Sequence, residues 1–447
     1  MDTVLFIAEL LVVLGCIVMG TRSSGVGLGL WGGAGVAILV FVFRLSPGSP
    51  PVDALLIVLS VVLASSMMQA AGGIDWMVSI AAKLIARNPK QITLMAPLVL
   101  FVFSVGAGTS NVLYPLLPVI QDLSYRNGVR PSRPLSLSVV ATGVGLACSP
   151  VSAAMAAMVT LTDTAPWNFE LLDILKVTLP ASIAGIILSS LFVNRLGKDI
   201  AEDAEIQAKI TAGEIPAPGA GGADVTADVT VTKEGRNAAI IFLLGVVAIV
   251  GFGLFEGLRP LNPAGDPVTM TPIIEIVMFV SGTLILLISR PDTAVIPTMT
   301  VFKAGMVSAI ALFGLAWLTD TFLAEHTTLI ADGVGELVSS APWIFALGVF
   351  LVCVLTTSQS TATRTIVPIG LAAGIPLGLL SGMWAGAFAG IYLLPTNGSQ
   401  IAAANFDNTG STKLGTKLVD HSFFLPTLIL AATTIGFGAL FGVIWGG

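Results

Sequence analysis

Residues 91–123 read QITLMAPLVLFVFSVGAGTSNVLYPLLPVIQDL, two apolar segments on either side of the polar stretch 106–111. The segments hold 14 residues (91–104) and 12 residues (112–123), whereas a helix needs about 20 apolar residues to cross a bilayer. Neither segment can therefore cross alone. We interpret the pair as a re-entrant hairpin with its polar tip inside the membrane, since irregular backbone is tolerated there only against protein or a water-filled cavity.

The composition of the whole chain supports a membrane location. Of the 447 residues, 55% are hydrophobic and 10% charged, against about 25% charged in a soluble domain. The mean hydropathy is +0.95. The net charge of −6 argues against a nucleic-acid partner, which needs a basic face. The three cysteines have no metal-ligand spacing, and no catalytic motif is present. We expect no enzyme activity, metal or cofactor.

Long apolar runs predict an all-α integral membrane protein with about ten spanning helices, two re-entrant hairpins and two broken helices. The uninterrupted runs are 4–20, 26–44, 52–71, 171–193, 238–256, 270–289, 301–321 and 419–445. Polar residues, Gly or Pro interrupt the apolar stretches 91–104, 112–123, 134–162 and 342–405. The first run lacks a preceding Lys or Arg, so we expect a membrane helix and not a signal peptide.

A polar stretch divides the chain into two halves. Residues 196–236 are charged and then rich in Gly and Pro, which predicts a flexible cytoplasmic linker between a first membrane repeat (1–195) and a second (237–447). A shift of 250 positions pairs Ser110 with Ser360 and Ser149 with Ser399. Five spans per half is an odd number, so the second repeat is expected to be inverted.

The basic residues predict the orientation. With both termini outside, 16 of the 20 Lys and Arg residues fall in loops on the cytoplasmic side, as the positive-inside rule requires. The linker, which contains four of them, is then cytoplasmic. Two halves of opposite orientation are typical of secondary transporters, which bind their substrates near the middle of the membrane.

Four polar breaks at mid-membrane depth form the candidate site. They are the first hairpin tip (106–111), its counterpart entering from outside (356–361), and two helix breaks at 148–152 and 394–400. Each helix that restarts there exposes backbone N–H groups, which together with neutral hydroxyl and amide groups suit a small anion. Small polar residues also serve helix packing, so that role stays open. The candidate binding residues are Thr109, Ser110, Asn111, Ser149, Pro150, Ser358, Gln359, Ser360, Thr361, Arg364, Thr396, Asn397, Gly398 and Ser399.

Several motifs resemble the anaerobic C4-dicarboxylate transporter (Dcu) family. They are GTSNVLYPLLPVIQD (108–122), CSPVSAAM (148–155), LLPTNGSQIAAANFDNTGSTKLG (393–415) and DHSFFLPTL (420–428). The resemblance implies a multi-pass carrier of the bacterial inner membrane that exchanges fumarate, malate or aspartate for succinate by alternating access. It also implies kinship with divalent-anion transporters whose hairpin tips hold substrate carboxylates. The second tip here reads Ser-Gln-Ser-Thr (358–361), where those transporters have Ser-Asn-Thr.

Other functions fit the same polar cage. A carrier of another small anion, such as lactate, citrate or arsenite, would need similar donors. A membrane sensor would bind the anion without moving it, although the sequence contains no soluble signalling domain. The expected partners are a small dicarboxylate, membrane lipid and a second copy of the chain in a homodimer.

Overall fold

The computed structural model describes residues 2–23, 26–163, 166–218, 231–263, 265–415 and 419–445. Within these ranges the chain forms eighteen α-helices joined by loops and short 3-10 segments, with no β-sheet. The all-α class predicted from the apolar runs is confirmed.

Ten helices precede residue 219. They are α1 (Asp2–Ser23), α2 (Gly27–Phe41), α3 (Val52–Ala70), α4 (Gly73–Ala86), α5 (Ile92–Ala107), α6 (Leu117–Arg126), α7 (Ser132–Val144), α8 (Ala153–Thr162), α9 (Leu171–Val193) and α10 (Ala204–Thr211). The 3-10 segment Ser110–Leu116 lies between α5 and α6, and Gly145–Cys148 follows α7 directly.

Eight further helices follow residue 230. They are α11 (Lys233–Leu254), α12 (Met270–Ser289), α13 (Thr300–Ser340), α14 (Trp343–Thr356), α15 (Gln359–Ala372), α16 (Leu377–Ala387), α17 (Gly398–Phe406) and α18 (Phe424–Trp445). A 3-10 segment, Phe388–Tyr392, follows α16.

Seven helical segments among the described residues are long and apolar enough to cross a membrane, or eight if the pair α3 and α4, bent by 75°, counts as one span. Four further apolar helices, of 10–17 residues, are too short to be counted as membrane spans by length. One is α2, which ends at Phe41 after 15 residues, although the apolar run predicted a span from 26 to 44. The expected number of about ten spans therefore stays a prediction.

Small residues allow the central helices to pack closely. Gly378 and Gly382 on α16 face Gly442 and Gly438 on α18, four residues apart on each helix. A Cβ atom at Gly382 would lie 2.0 Å from the Gly438 carbonyl oxygen, so the two backbones are in direct contact. This spacing is the small-xxx-small pattern that favours close helix contacts in membranes.

The first part of the predicted linker is folded. Ile200, Ile206 and Ile215 form a small buried cluster with Tyr125, whose hydroxyl donates a 2.7 Å hydrogen bond to the Pro216 carbonyl. Three isoleucines spaced along a polar segment supply an apolar face that the average composition conceals. The expected flexibility therefore does not apply to this part, and residues 219–230 lie outside the described residues.

Ion pairs join the folded part of the linker to the start of α7 and to the loop after α17. Arg133 contacts Asp199 at 2.7 Å, and Lys413 contacts Glu205 at 2.7 Å. The sequence places all of these residues on the cytoplasmic side, and the structure gathers them on one face. The division into two repeats and a linker remains an expectation.

Candidate anion-binding cavity

A cavity of about 360 Å³ lies where the two hairpin tips meet the two helix breaks. The polar residues that line it are Ser65, Thr109, Ser110, Asn111, Tyr114, Ser152, Ser308, Thr357, Ser358, Gln359, Ser360, Tyr392, Asn397 and Ser399. Apolar residues of α3 and α13 complete the wall. All four polar breaks predicted from the sequence therefore contribute to one space.

The first tip is a sharp turn between α5 and a 3-10 segment. Gly108 closes α5 in the left-handed region with φ 65°, and a Cβ atom there would lie 2.6 Å from the Val151 carbonyl oxygen. Thr109 follows as the N-cap, and its hydroxyl accepts a hydrogen bond from the Asn111 N–H at 3.2 Å. Ser110 and Asn111 thus lie at the start of a helical segment that borders the cavity.

The second tip has the same order of parts. Thr357 ends α14 in the left-handed region with φ 50°, and Ser358 is the N-cap of α15. The Ser358 hydroxyl oxygen accepts from the Thr361 N–H at 3.2 Å and from the Thr361 hydroxyl at 2.8 Å. The Gln359 amide donates to the Gly143 carbonyl at 2.8 Å, which fixes this tip against α7.

The two helix breaks also end in N-caps. Ser152 precedes α8 and accepts a hydrogen bond from the Met155 N–H at 3.0 Å. Asn397 precedes α17 and accepts from the Ser399 N–H at 3.0 Å, while the Gln400 side chain accepts from the Asn397 N–H at 3.1 Å. Both helices thus begin at a defined residue on the cavity wall.

The cavity owes its electrostatic character to backbone. The N-caps of four helical segments, Thr109, Ser152, Ser358 and Asn397, all line it. A helix N-terminus carries about half a positive charge, and its first N–H groups have no partner within the helix. No charged side chain of the described residues lines the cavity. The arrangement suits a small anion bound by dipoles and hydroxyl groups.

The caps also define how the two halves correspond. Ser358 follows Thr109 by 249 positions, and Asn397 follows Ser152 by 245. The shift of 250 positions used in the sequence comparison is therefore one residue off at the tips and five residues off at the breaks.

Eight of the fourteen candidate binding residues line the cavity, namely Thr109, Ser110, Asn111, Ser358, Gln359, Ser360, Asn397 and Ser399. The other six do not line the cavity, namely Ser149, Pro150, Thr361, Thr396, Gly398 and Arg364. Ser149 is fully buried three residues before the cap that does line the cavity, and Thr361 is engaged with Ser358. Arg364 lines a separate cavity further along α15.

Sequence reasoning missed two tyrosines. Tyr114 and Tyr392 line the cavity, and each hydroxyl can donate to an anion. The chain contains only three tyrosines, and these two lie three residues after the first tip and four residues before Thr396 in the second break. Their position close to the polar breaks was the sequence signal that could have identified them.

Two aspartates at the far ends of the broken helices were also missed. Asp407 follows α17 and accepts five hydrogen bonds, from Thr409 N–H and hydroxyl, Ser411 hydroxyl, and Thr412 N–H and hydroxyl, at 2.5–3.0 Å. Asp163 follows α8, and its Oδ2 is buried without a hydrogen-bond partner among the described residues. Burial, with a further contribution from nearby Glu170, raises the pKa of Asp163 to about 6.

Comparisons with known proteins agree with this architecture. The family described as anaerobic C4-dicarboxylate membrane transporter matches residues 5–446. The anaerobic C4-dicarboxylate transporter DcuB of Escherichia coli O6:H1 is 36% identical, over 99% of both chains. The C4-dicarboxylate transporter DcuA of Escherichia coli K12 is 33% identical, over 98% of this chain and 99% of the relative.

Two solved transporter structures share the fold. The YdaH transporter of Alcanivorax borkumensis has a TM-score of 0.55 at 14% identity and covers 99% of this chain and 97% of its own. The efflux pump MtrF of Neisseria gonorrhoeae has a TM-score of 0.57 at 12% identity, over 92% of this chain and 85% of its own. At these identities the likeness concerns the fold alone.

Proposed function

Because the chain belongs to the anaerobic C4-dicarboxylate membrane transporter family, we propose that it exchanges one C4-dicarboxylate for another by alternating access. The chain is a multi-pass transporter of the bacterial inner membrane, its substrate is a small dicarboxylate, and it is not an enzyme. The proposal adds the exchange of fumarate, malate or aspartate for succinate, and the residues that bind the substrate.

One observation carries the assignment of the binding site. Four capped helical segments begin at a single cavity that contains no charged side chain among the described residues. A volume of about 360 Å³ lies in the range of small-molecule sites, which is about 300–1,000 Å³, and leaves room for a four-carbon substrate with water.

The energetics of a doubly charged substrate fit this arrangement. Moving each charge out of water costs several kcal/mol even after relaxation. A helix N-terminus offsets about 0.3–2 kcal/mol, and each hydrogen bond to a charged group contributes about 1.5–3 kcal/mol. We place one carboxylate at the first tip, near Ser110 and Asn111, and the other at the second tip, near Gln359 and Ser360. The hydroxyl groups of Tyr114 and Tyr392 add donors between them.

Alternating access follows from hairpins that enter from opposite sides. We propose that the first hairpin (α5 with α6) borders the cytoplasmic passage and the second (α14 with α15) the outer passage. The gathering of the predicted cytoplasmic loops on one face supports this orientation.

Cysteine labelling tests the orientation. Ala217 lies in the described part of the linker and Gly257 in the loop after α11, and both are exposed. The three native cysteines are buried, so they give little background. We expect a membrane-impermeant thiol reagent to label Gly257→Cys in whole cells and Ala217→Cys only after permeabilisation. Rapid labelling of Ala217→Cys in intact cells would refute the inverted arrangement.

Transport in proteoliposomes tests the exchange. We expect labelled fumarate to enter rapidly only when the vesicles contain succinate. Equal uptake into empty vesicles would show net transport and contradict obligatory exchange. Binding without flux under both conditions would favour a sensor.

Membrane lipid and a second copy of the chain are the remaining proposed partners. Exposed apolar side chains on α11, among them Leu244 and Val247, support contact with lipid. Chemical crosslinking in native membranes tests the homodimer, which would give a species of twice the chain mass.

A further inference from the structure

A second cavity of about 500 Å³ lies beyond the central one, toward the face that carries the α2–α3 loop and the α8–α9 loop. Its wall includes Arg364 on α15, Thr319 on α13 and Trp167 in the α8–α9 loop. The central site does not use this cavity.

Arg364 is a buried cation that has no partner among the residues that the structure describes. The residue is 4% exposed. Its Nε and Nη2 atoms are buried and have no hydrogen-bond acceptor among the described residues. No ion pair joins it to any residue that the structure describes. Asp320 lines the same cavity but is engaged elsewhere, because its Oδ2 accepts from the Ser49 N–H at 2.6 Å. An uncompensated charge is costly to bury, which points to an anionic partner absent from the protein itself.

The two unpartnered donors identify the kind of anion. Nε–H and Nη2–H lie along one edge of the guanidinium plane and form the planar fork that binds both oxygens of a carboxylate. Thr319 lines the same cavity, and its hydroxyl is a further possible donor. Two exposed carboxylates, Asp53 and Asp320, line the solvent side, so a second carboxylate of the ligand faces the central cavity instead.

The two cavities lie in series, because the same helices line both. On α15 the central cavity includes Ser360 and the second begins at Arg364, and on α8 the corresponding residues are Ala154 and Thr160. On α13 the last central residue is Ser308 and the second cavity begins at Ala316. At about 1.5 Å per helical residue, these separations of four to eight residues place the cavities roughly 6–12 Å apart.

We propose that Arg364 forms a second substrate site, which holds one carboxylate of a C4-dicarboxylate in the outer passage. The substrate class is that of the family, and the outer location rests on the proposed orientation. In this position Arg364 receives the dicarboxylate from outside and passes it to the hairpin tips.

Equilibrium binding of labelled succinate to the purified full-length protein tests the number of sites. We expect wild type to bind two succinates per chain and Arg364→Gln to bind one, with the remaining affinity unchanged. Arg364→Lys keeps the charge but loses the fork, so it should weaken the second site roughly 10–100-fold. Arg44→Gln, in an exposed loop of the same face, is the matched control and should bind two.

A tip variant separates this proposal from the central site. Asn111→Ala should lose the other succinate and keep the one that depends on Arg364. If wild type binds one succinate and Arg364→Gln binds it equally well, the second site does not exist. If chloride displaces the Arg364-dependent succinate at equal concentration, the site takes inorganic anions and the proposal is wrong.

A second variant tests the proposal if Arg364→Gln does not fold. Should Arg364→Gln aggregate, Thr319→Val removes a donor from the same wall and should weaken only the second site. In cells, either variant should raise the KM for external succinate while leaving the maximal rate near that of wild type. A loss of maximal rate with unchanged KM would instead indicate a structural role.

Discussion

The two hairpin tips form the same kind of turn with different residues. Each ends an incoming helix with a residue in the left-handed region and continues at once with a hydroxyl N-cap. The first tip uses Gly108 and leads into a 3-10 segment, whereas the second uses Thr357 and leads into the regular helix α15. The first is also packed against the Val151 carbonyl. The two tips therefore share a backbone conformation and a hydroxyl N-cap, and not the same residues.

The broken helices differ more sharply at their far ends. Asp407 after α17 accepts hydrogen bonds from five donors, while Asp163 after α8 has a buried oxygen with no partner in the part of the chain that the structure describes. Both occupy the C-cap position of their helix. One position therefore serves as the centre of a rigid turn in the second half and as a titratable group in the first.

The largest effect should come from the crowded tip. In Gly108→Ala the new Cβ atom would meet the Val151 carbonyl oxygen at 2.6 Å in a left-handed conformation, which should cost about 2–5 kcal/mol. We expect transport to be abolished and the unfolding temperature to fall. Thr357→Gly, at the matching position, should be tolerated within about 1 kcal/mol because it relieves a left-handed non-glycine residue. Equal losses in both variants would contradict the comparison.

Next in size is the loss of the satisfied aspartate. Asp407→Asn replaces a carboxylate that accepts five hydrogen bonds with a group that has one acceptor, and should cost about 2–4 kcal/mol. Thermal unfolding in detergent measures this loss. A neutral result would show that the turn does not depend on the charge.

Tip substitutions should affect transport and not stability. Asn111→Ala and Ser360→Ala should each weaken succinate transport roughly 10–100-fold, since each removes a donor to one carboxylate. Butyrate has one carboxylate and can occupy only one tip at a time. Its transport should therefore be reduced less than that of succinate in one of the two variants. Thr361→Ala acts only through Ser358 and should have a smaller effect. Thr211→Ala, at the exposed last residue of α10, is the control. Normal transport in both tip variants would place the site elsewhere.

The smallest effect should be a pH dependence at Asp163. Folding raises this pKa from 3.8 to about 6, so the folded protein binds the proton more tightly than the unfolded chain. Stability should therefore increase as the pH falls from about 7 to about 4, and the cost of the buried charge is fully present above that range. Asp163→Asn should remove this slope and raise the unfolding temperature at pH 7.5. An unchanged slope would show that another group is responsible.

The sequence located the tips well because polarity inside an apolar segment is a local signal. Thr109, Ser110, Asn111 and Ser358 to Ser360 all line the cavity. The helix breaks were less exact, since Ser149 and Pro150 do not line the cavity and α8 restarts at the cap Ser152, the last residue of the predicted break 148–152.

Other errors arose from three-dimensional features without a local signature. Arg364 follows the second tip by three residues, but the rise of α15 carries it into the second cavity. The isoleucines of the linker become a core only against Tyr125, which is distant in sequence. Tyr392 was hidden because an aromatic residue at a helix end is usual in membrane proteins.

A structure of the full-length protein with bound succinate would show where the substrate lies. We expect density in the central cavity, with one carboxylate within hydrogen-bond distance of Ser110 or Asn111 and the other at the first N–H groups of α15, near Gln359 and Ser360. Succinate bound only at Arg364, or held by a charged side chain with both tips unoccupied, would contradict it.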